Sequence, residues 1–154
     1  MANTYTQLNI HAVFAVKGRA NVLVDAIRED VFKYINGILQ NTGQFPLAVN
    51  GYKDHVHIFF EMSTEKSLAD IMRDVKANSS RWINEHKLTR NKFQWQEGYG
   101  AFSYAKSQRS TVINYIQKQE EHHRKKPFKD EYLEQLRKYD LEFDSRYLFE
   151  FYED

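Results

Sequence analysis

The sequence predicts an α+β fold in which an antiparallel sheet carries helices on one face. Alternating apolar and polar residues over 5–14, and two further apolar runs of strand length, indicate strands. Apolar residues at spacings of three and four over 23–42, and again from 67 to about 86, indicate amphipathic helices. With 154 residues but only two prolines and six glycines, the chain suits a single domain over 1–154.

The first half of the chain gives strand, helix and hairpin in that order. The opening strand (5–14) is followed by a helix over 23–42, which Gly43 is placed to end as a C-terminal cap. Two apolar runs, 45–52 and 54–62, are separated by a short polar break. They are expected to pair as a hairpin.

The second half of the chain gives a helix and a strand, followed by two more helices. Ser67 is a good N-cap for the second helix, and the aromatic, alternating segment 93–105 reads as a strand with two glycines marking a bulge or a close approach. A third helix is expected over 107–123, and a shorter one over 128–139. The order β-α-β-β-α-β is the ferredoxin-like arrangement, here with an added C-terminal helix. The core is expected over about 5–123 and an acidic extension over about 128–154.

Composition excludes several classes of protein. There is no cysteine, so a disulfide scaffold and a thiolate metal site are excluded. No apolar run approaches the roughly 20 residues that span a bilayer, and the N-terminus has no signal-peptide pattern. We therefore expect a cytoplasmic protein without a membrane partner.

Charge is segregated along the chain although the formal net charge is only +1. Residues 106–129 hold seven Lys and Arg against two acids, whereas residues 130–154 hold nine acids against three bases. A basic block suggests contact with an anion, and a solvated helix end explains it equally well. The residues that could contact such an anion, two of them on the second helix, are Lys106, Arg109, Arg124, Lys125, Lys76 and Arg81.

A pair of histidines opens the third predicted strand. Because residues i and i+2 of a strand face the same side, His55 and His57 project together and could hold a divalent ion. Asp54 could serve as a partner behind them. Two histidines on a half-exposed strand are the alternative. His11 and His86 lack such spacing and are interpreted as structural or surface residues.

The third helix carries a tyrosine and a glutamine one turn apart. Tyr115 and Gln119 are four residues apart and so share a helix face. Read alone, Tyr115 extends the apolar stripe of Val112 and Ile116. Gln119 is unusual at a core-facing position, which weakens that interpretation.

Together these motifs resemble the HUH single-tyrosine transposases of the insertion sequence 200/605 group. The resemblance rests on segments spread over nearly the whole chain: the opening strand, 54–58, 75–83, 95–103, 112–119 with 122–123, and 146–149. Lys53 and Lys118 stand where relatives commonly have proline and asparagine, respectively. Neither departure changes the two histidines, the tyrosine or the glutamine of the motifs.

The resemblance implies a specific chemistry. His55, His57 and Gln119 would ligate Mg²⁺ or Mn²⁺, and Tyr115 would attack single-stranded DNA to form a 5′-phosphotyrosine. It also implies hairpin recognition, a homodimer, and a bacterial or archaeal cell. Three alternatives stay open: a domesticated relative acting on chromosomal repeats, a replication-initiator nuclease, and a non-catalytic ferredoxin-like module that binds single-stranded nucleic acid.

Overall fold

A computed structural model describes residues 4–17, 21–119, 121 and 128–139. The strands are β1 (Asn9–Ala15), β2 (Phe45–Gly51), β3 (His55–Glu61) and β4 (Gly100–Tyr104). The helices are α1 (Asp25–Asn41), α2 (Leu68–Glu85), α3 (Arg109–Gln117) and α4 (Phe128–Lys138), with a 3₁₀ turn at Lys106–Gln108 before α3. The sheet has the order β2-β3-β1-β4 and every pairing is antiparallel. The ferredoxin-like prediction is confirmed.

The two faces of the sheet have different occupants. On one face, the main apolar core joins Ala12 and Phe14 of β1 and Ile58 of β3 to residues of α1 and α2. On the other, β1 and β3 present His11, Val13 and their odd-numbered neighbours toward α3 and α4. This division follows from the alternation of side chains along a strand.

The ends of α1 and α2 follow the predicted local chemistry. Gly43 has φ of +83° just beyond α1, and its N–H donates to the carbonyl oxygen of Gln40. The Ser67 hydroxyl accepts a hydrogen bond of 3.1 Å from the N–H of Asp70. Among the described residues, no helix is both long and apolar enough to cross a membrane.

Three predicted elements differ in extent from the prediction. The opening strand, predicted over 5–14, begins only at Asn9, and both of its faces are buried. The strand predicted over 93–105 is regular only over β4, because Gly98 takes a positive φ of +85° and leaves Trp95 in an isolated bridge with Val16. The helix predicted over 107–123 is regular as α3 up to Gln117, with a turn at Lys118, and Gln119 and Glu121 are again helical. Asn50 of β2 donates to the carbonyl oxygens of Ile116 and Gln117, which satisfies two acceptors at that end. Residues 122–127 and the tail from 140 onward lie outside the described residues.

The short helix predicted over 128–139 is present as α4, and it packs on the second face of the sheet. Phe128, Tyr132 and Leu136, spaced by four, are buried against β1 and β4. Gly100 makes this approach possible, because a Cβ there would lie 2.7 Å from the Tyr132 ring. α4 therefore lies beside the histidine pair of β3.

Candidate active site

The two histidines of β3 lie side by side on the face that α3 and α4 cover. His55 is opposite Ala15 and His57 is opposite Val13 in the pairing with β1. Both side chains are almost fully buried, with 0% and 1% of their surface exposed. The alternative of a half-exposed surface pair is therefore wrong.

The predicted tyrosine and glutamine reach the same site from the region of α3. Gln119 Oε1 lies 3.1 Å from His55 Nε2. The Tyr115 hydroxyl donates a hydrogen bond to Glu131 Oε2, and Gln119 Nε2 donates to the same oxygen over 3.3 Å. Although α3 ends between Tyr115 and Gln119, both side chains converge as the four-residue spacing predicted.

Glu131 of α4 is the residue that the sequence analysis missed. Only 3% of its surface is exposed, and its Oε1 lies 3.1 Å from His57 Nε2 and 3.7 Å from His55 Nε2. The sequence did hold a signal for a buried acid, because Glu131 lies next to Tyr132 on the apolar stripe of a short amphipathic helix. An acid on a buried face requires a partner, and three site residues supply it.

Each histidine also has a partner at its other ring nitrogen. Asp54 Oδ1 lies 2.7 Å from His55 Nδ1, which agrees with the supporting position suggested for Asp54. His11 Nε2 lies 2.7 Å from His57 Nδ1, and the two rings stack with centroids 5.0 Å apart. His11 is buried and contacts the site, so it is not a surface residue. The Phe128 ring stacks on His55 at 4.0 Å, which holds that imidazole from another side.

Burial controls the ionisation of two of these side chains. It raises the pKa of Tyr115 well above its usual value, and the negative charge of Glu131 raises this pKa further. Burial lowers the pKa of His11 well below its usual value, and His57 adds to the effect. Tyr115 therefore carries its proton at neutral pH, and His11 is uncharged.

The donor atoms fit a divalent metal ion. Ligand atoms of His55, His57 and Glu131 all lie within 4.8 Å of one another. If the His55 ring carries its proton only at Nδ1, beside Asp54, its Nε2 lone pair faces Gln119 Oε1, which is also an acceptor atom. A cation between these atoms would satisfy both. Their separation of 3.1 Å also resembles the roughly 3 Å between adjacent ligands at bond lengths of about 2.1 Å.

A cleft opens next to the Tyr115 side chain. It has a volume of about 360 Å³ and lies between α3, α4 and the end of β4. Its lining includes Tyr104, Thr111, Glu134 and Lys138. The tyrosine therefore has a route to the solvent although most of the site is buried.

The basic residues predicted to contact DNA are distributed over the molecule. Lys76 and Arg81 lie on α2, which packs on the opposite face of the sheet from Tyr115. Lys76 Nζ donates to the carbonyl oxygens of Gln96 and Gly98, and burial lowers its pKa. Exposed Lys106 begins the 3₁₀ turn.

Arg109, at the start of α3, is already engaged by the protein. It donates to Asn9 Oδ1 and Gln7 Oε1 and lies 3.3 Å from Glu61 Oε2. Arg124 and Lys125 lie outside the described residues.

Known sequences and structures show the family and the fold of this chain. The family profile described as "Transposase IS200 like" matches residues 4–119, three-quarters of the chain, and this range includes His55, His57, Tyr115 and Gln119. The chain belongs to the IS200-like transposase family. This IS200-like transposase is 22% identical to the ISDra2 transposase TnpA of Deinococcus radiodurans over 118 residues, which cover 73% of the chain and 84% of that relative.

Solved structures share the fold of this IS200-like transposase. A candidate transposase from Deinococcus radiodurans superposes with a TM-score of 0.62 and 21% identity, over 77% of this chain and 95% of that one. A REP-associated tyrosine transposase bound to a REP hairpin gives a TM-score of 0.58 and 11% identity, over 80% of this chain and 73% of the other. Glu131 lies beyond the residues that the family profile matches.

Proposed function

We propose that this transposase cleaves and rejoins single-stranded DNA through a 5′-phosphotyrosine at Tyr115. The observation that carries the proposal is the convergence of the Tyr115 hydroxyl, two histidine Nε2 atoms and the Gln119 amide on one buried carboxylate, Glu131. A tyrosine that merely extended an apolar stripe would not point its hydroxyl into such a cluster.

The metal would be held by His55, His57 and Glu131 together with Gln119 Oε1. Oxygen ligands suit Mg²⁺ and Mn²⁺, and two imidazoles favour Mn²⁺ of the two. When bound, the ion supplies charge that polarises the scissile phosphate and stabilises the charge developing on it.

Glu131 presents a different oxygen to each half of the site. Its Oε1 faces the histidines, whereas its Oε2 accepts the hydrogen bond from Tyr115. Since burial keeps Tyr115 protonated, the phenol needs an acceptor when it attacks. Glu131 Oε2 accepts that proton as the bond from tyrosine oxygen to phosphorus forms. The bond from phosphorus to the leaving 3′ oxygen breaks, and that oxygen leaves as a 3′-OH with a proton from solvent.

The phosphotyrosine retains the energy of the broken phosphodiester bond. A second 3′-OH attacks it, releases its proton to solvent and rejoins the DNA, while Glu131 returns its proton to the departing Tyr115 oxygen. The reaction therefore needs no nucleotide cofactor. One nucleophilic tyrosine per chain makes one cut at a time, and excision of a segment requires two. We therefore expect a homodimer, which light scattering of the purified chain tests.

The substrate proposed is single-stranded DNA that contains a hairpin. Support comes from the fold shared with the REP-associated transposase bound to a REP hairpin. Hairpins from the flanks of the gene should compete for binding better than unstructured strands of equal length. A domesticated, repeat-associated role would show the same chemistry with hairpins that recur elsewhere in the genome.

A covalent-adduct assay tests the proposal. Labelled single strands from the gene's flanks are incubated with the protein and Mg²⁺ or Mn²⁺ and separated on a denaturing gel. Tyr115→Phe should abolish the shifted band. Tyr34→Phe is the matched control, because Tyr34 lies on α1 and stacks on Trp82, on the other face of the sheet. Tight binding without an adduct from any flank would favour the non-catalytic binding module.

A further inference from the structure

His11 contacts the proposed metal site without being one of its ligands. It lies on β1, and its register partner on β3 is Phe59, so it reaches His57 diagonally across the two strands. The 2.7 Å between His11 Nε2 and His57 Nδ1 requires one proton between these nitrogens. The contact is buried, since only 1% of the surface of each residue is exposed.

The position of that proton decides what His57 can do with its other nitrogen. A neutral imidazole has one N–H and one lone pair. With Nε2 of His57 donating to Glu131 Oε1, its Nδ1 must accept from His11. With Nε2 free to ligate a metal, its Nδ1 must carry the proton and donate to His11 Nε2.

His11 can take either role. No described residue hydrogen-bonds to His11 Nδ1, so no neighbour fixes which of its nitrogens is protonated. Asp54 behaves differently, because an ionised carboxylate only accepts and holds His55 in one tautomer. The two histidines proposed as metal ligands therefore have different partners. Asp54 can only accept a proton from His55, whereas His11 can either donate a proton to His57 or accept one.

We infer that His11 is a positioning residue that accepts the Nδ1 proton of His57 and so holds His57 Nε2 ready to ligate the metal. This inference rests on the proposed metal site. Partners behind metal-binding histidines typically change metal affinity by about 10- to 100-fold when they are removed. The expected loss for His11 is of that size.

Two amide substitutions of His11 distinguish a role in positioning His57 from a role in packing alone. In His11→Gln the amide extends to the place of the imidazole Nε2, where it can donate or accept. In His11→Asn the shorter amide reaches only the place of Nδ1. Both variants bury a similar polar group, so a packing role predicts similar losses for the two.

Mn²⁺ binding to the full chain, measured by electron paramagnetic resonance of free Mn²⁺, is the first readout. We expect His11→Gln to bind within a few-fold of the wild type and His11→Asn to bind at least about tenfold more weakly. The second readout is the tautomer of His57 in ¹⁵N-labelled protein. Titration with Zn²⁺ as a diamagnetic probe should move the His57 proton from Nε2 to Nδ1 in the wild type.

The outcomes distinguish this inference from the proposed function. If His57→Ala binds Mn²⁺ like the wild type, there is no metal site at His57 and both ideas fail. If His57→Ala loses the ion while His11→Asn and His11→Gln bind equally, the metal site stands and the positioning role is contradicted.

Discussion

The Tyr115 hydroxyl donates a hydrogen bond to Glu131, a carboxylate that arrives from a different helix sixteen residues further along the chain. The contact joins the candidate nucleophile to a carboxylate that lies against both histidines. It makes α4 part of the candidate active site, and it connects the proposed chemistry to the way this helix packs on the sheet.

Glu131→Gln should slow adduct formation by about 10²- to 10⁴-fold, because the amide retains the shape of the side chain but cannot take the phenolic proton. The rate of adduct formation at saturating Mn²⁺ measures the effect. Glu134→Gln is the control on the same helix, since Glu134 lines the adjacent cleft. If Glu131→Gln forms the adduct as fast as Glu134→Gln, Glu131 does not take part in the reaction.

Gly100→Ala should displace α4, because the new Cβ would lie 2.7 Å from the Tyr132 ring. We expect a loss of about 1–3 kcal/mol in the free energy of unfolding, measured in urea, together with weaker adduct formation. The control is Gly37→Ala, where a Cβ on α1 meets nothing within 4 Å. That change should instead stabilise the chain by roughly 0.5–1 kcal/mol. An unaltered stability in Gly100→Ala would mean that α4 is not held as described.

Much of this fold was predictable from local patterns. The cap at Ser67 and the shared direction of His55 and His57 reflect short-range geometry, and both are confirmed. The strand predicted over 5–14 is present only over Asn9–Ala15. The convergence of Tyr115 and Gln119 also followed from helical periodicity.

The rest depends on long-range packing. Glu131 lies 74 residues from His57, and the packing of α4 on the sheet, with Tyr132 against Gly100, brings it there. The contact of His11 with His57 depends on the register of β1 against β3, which the sequence does not specify. The glycines of the segment 93–105 indicated a bulge or a close approach, but not that the positive φ of Gly98 would end the regular strand there.

The stability of the fold should fall as the pH rises above about 10. Burial raises the pKa of Tyr104, and the hydrogen bond with Tyr139 adds to this shift. The unfolded chain loses the Tyr104 proton near pH 10 while the folded chain keeps it, so ionisation favours unfolding until the folded pKa is reached. Urea unfolding at pH 8 and at pH 10.5 should show a smaller loss for Tyr104→Phe than for the wild type. If both proteins lose the same free energy of unfolding between the two pH values, the ionisation of Tyr104 is not the cause.

Arg81→Ala should weaken the binding of single-stranded hairpin DNA equally for all sequences. It should also reduce the slope of the logarithm of affinity against the logarithm of salt concentration by about one. The reason is that Arg81 is exposed on α2, on the face opposite Tyr115, and would contact only phosphates. Fluorescence anisotropy between low and moderate salt measures it. Lys33→Ala, on α1 with Lys33 paired to Glu29, is the control. An unchanged salt slope would exclude Arg81 from the DNA contact.

The most direct test is to map the covalent adduct. Wild-type protein is reacted with a labelled single strand from its own flank in Mn²⁺, digested with trypsin and nuclease, and sequenced by mass spectrometry. We expect a 5′-linked nucleotide on Tyr115, present only with the metal. An adduct on another tyrosine, or the same adduct after complete chelation, would contradict it.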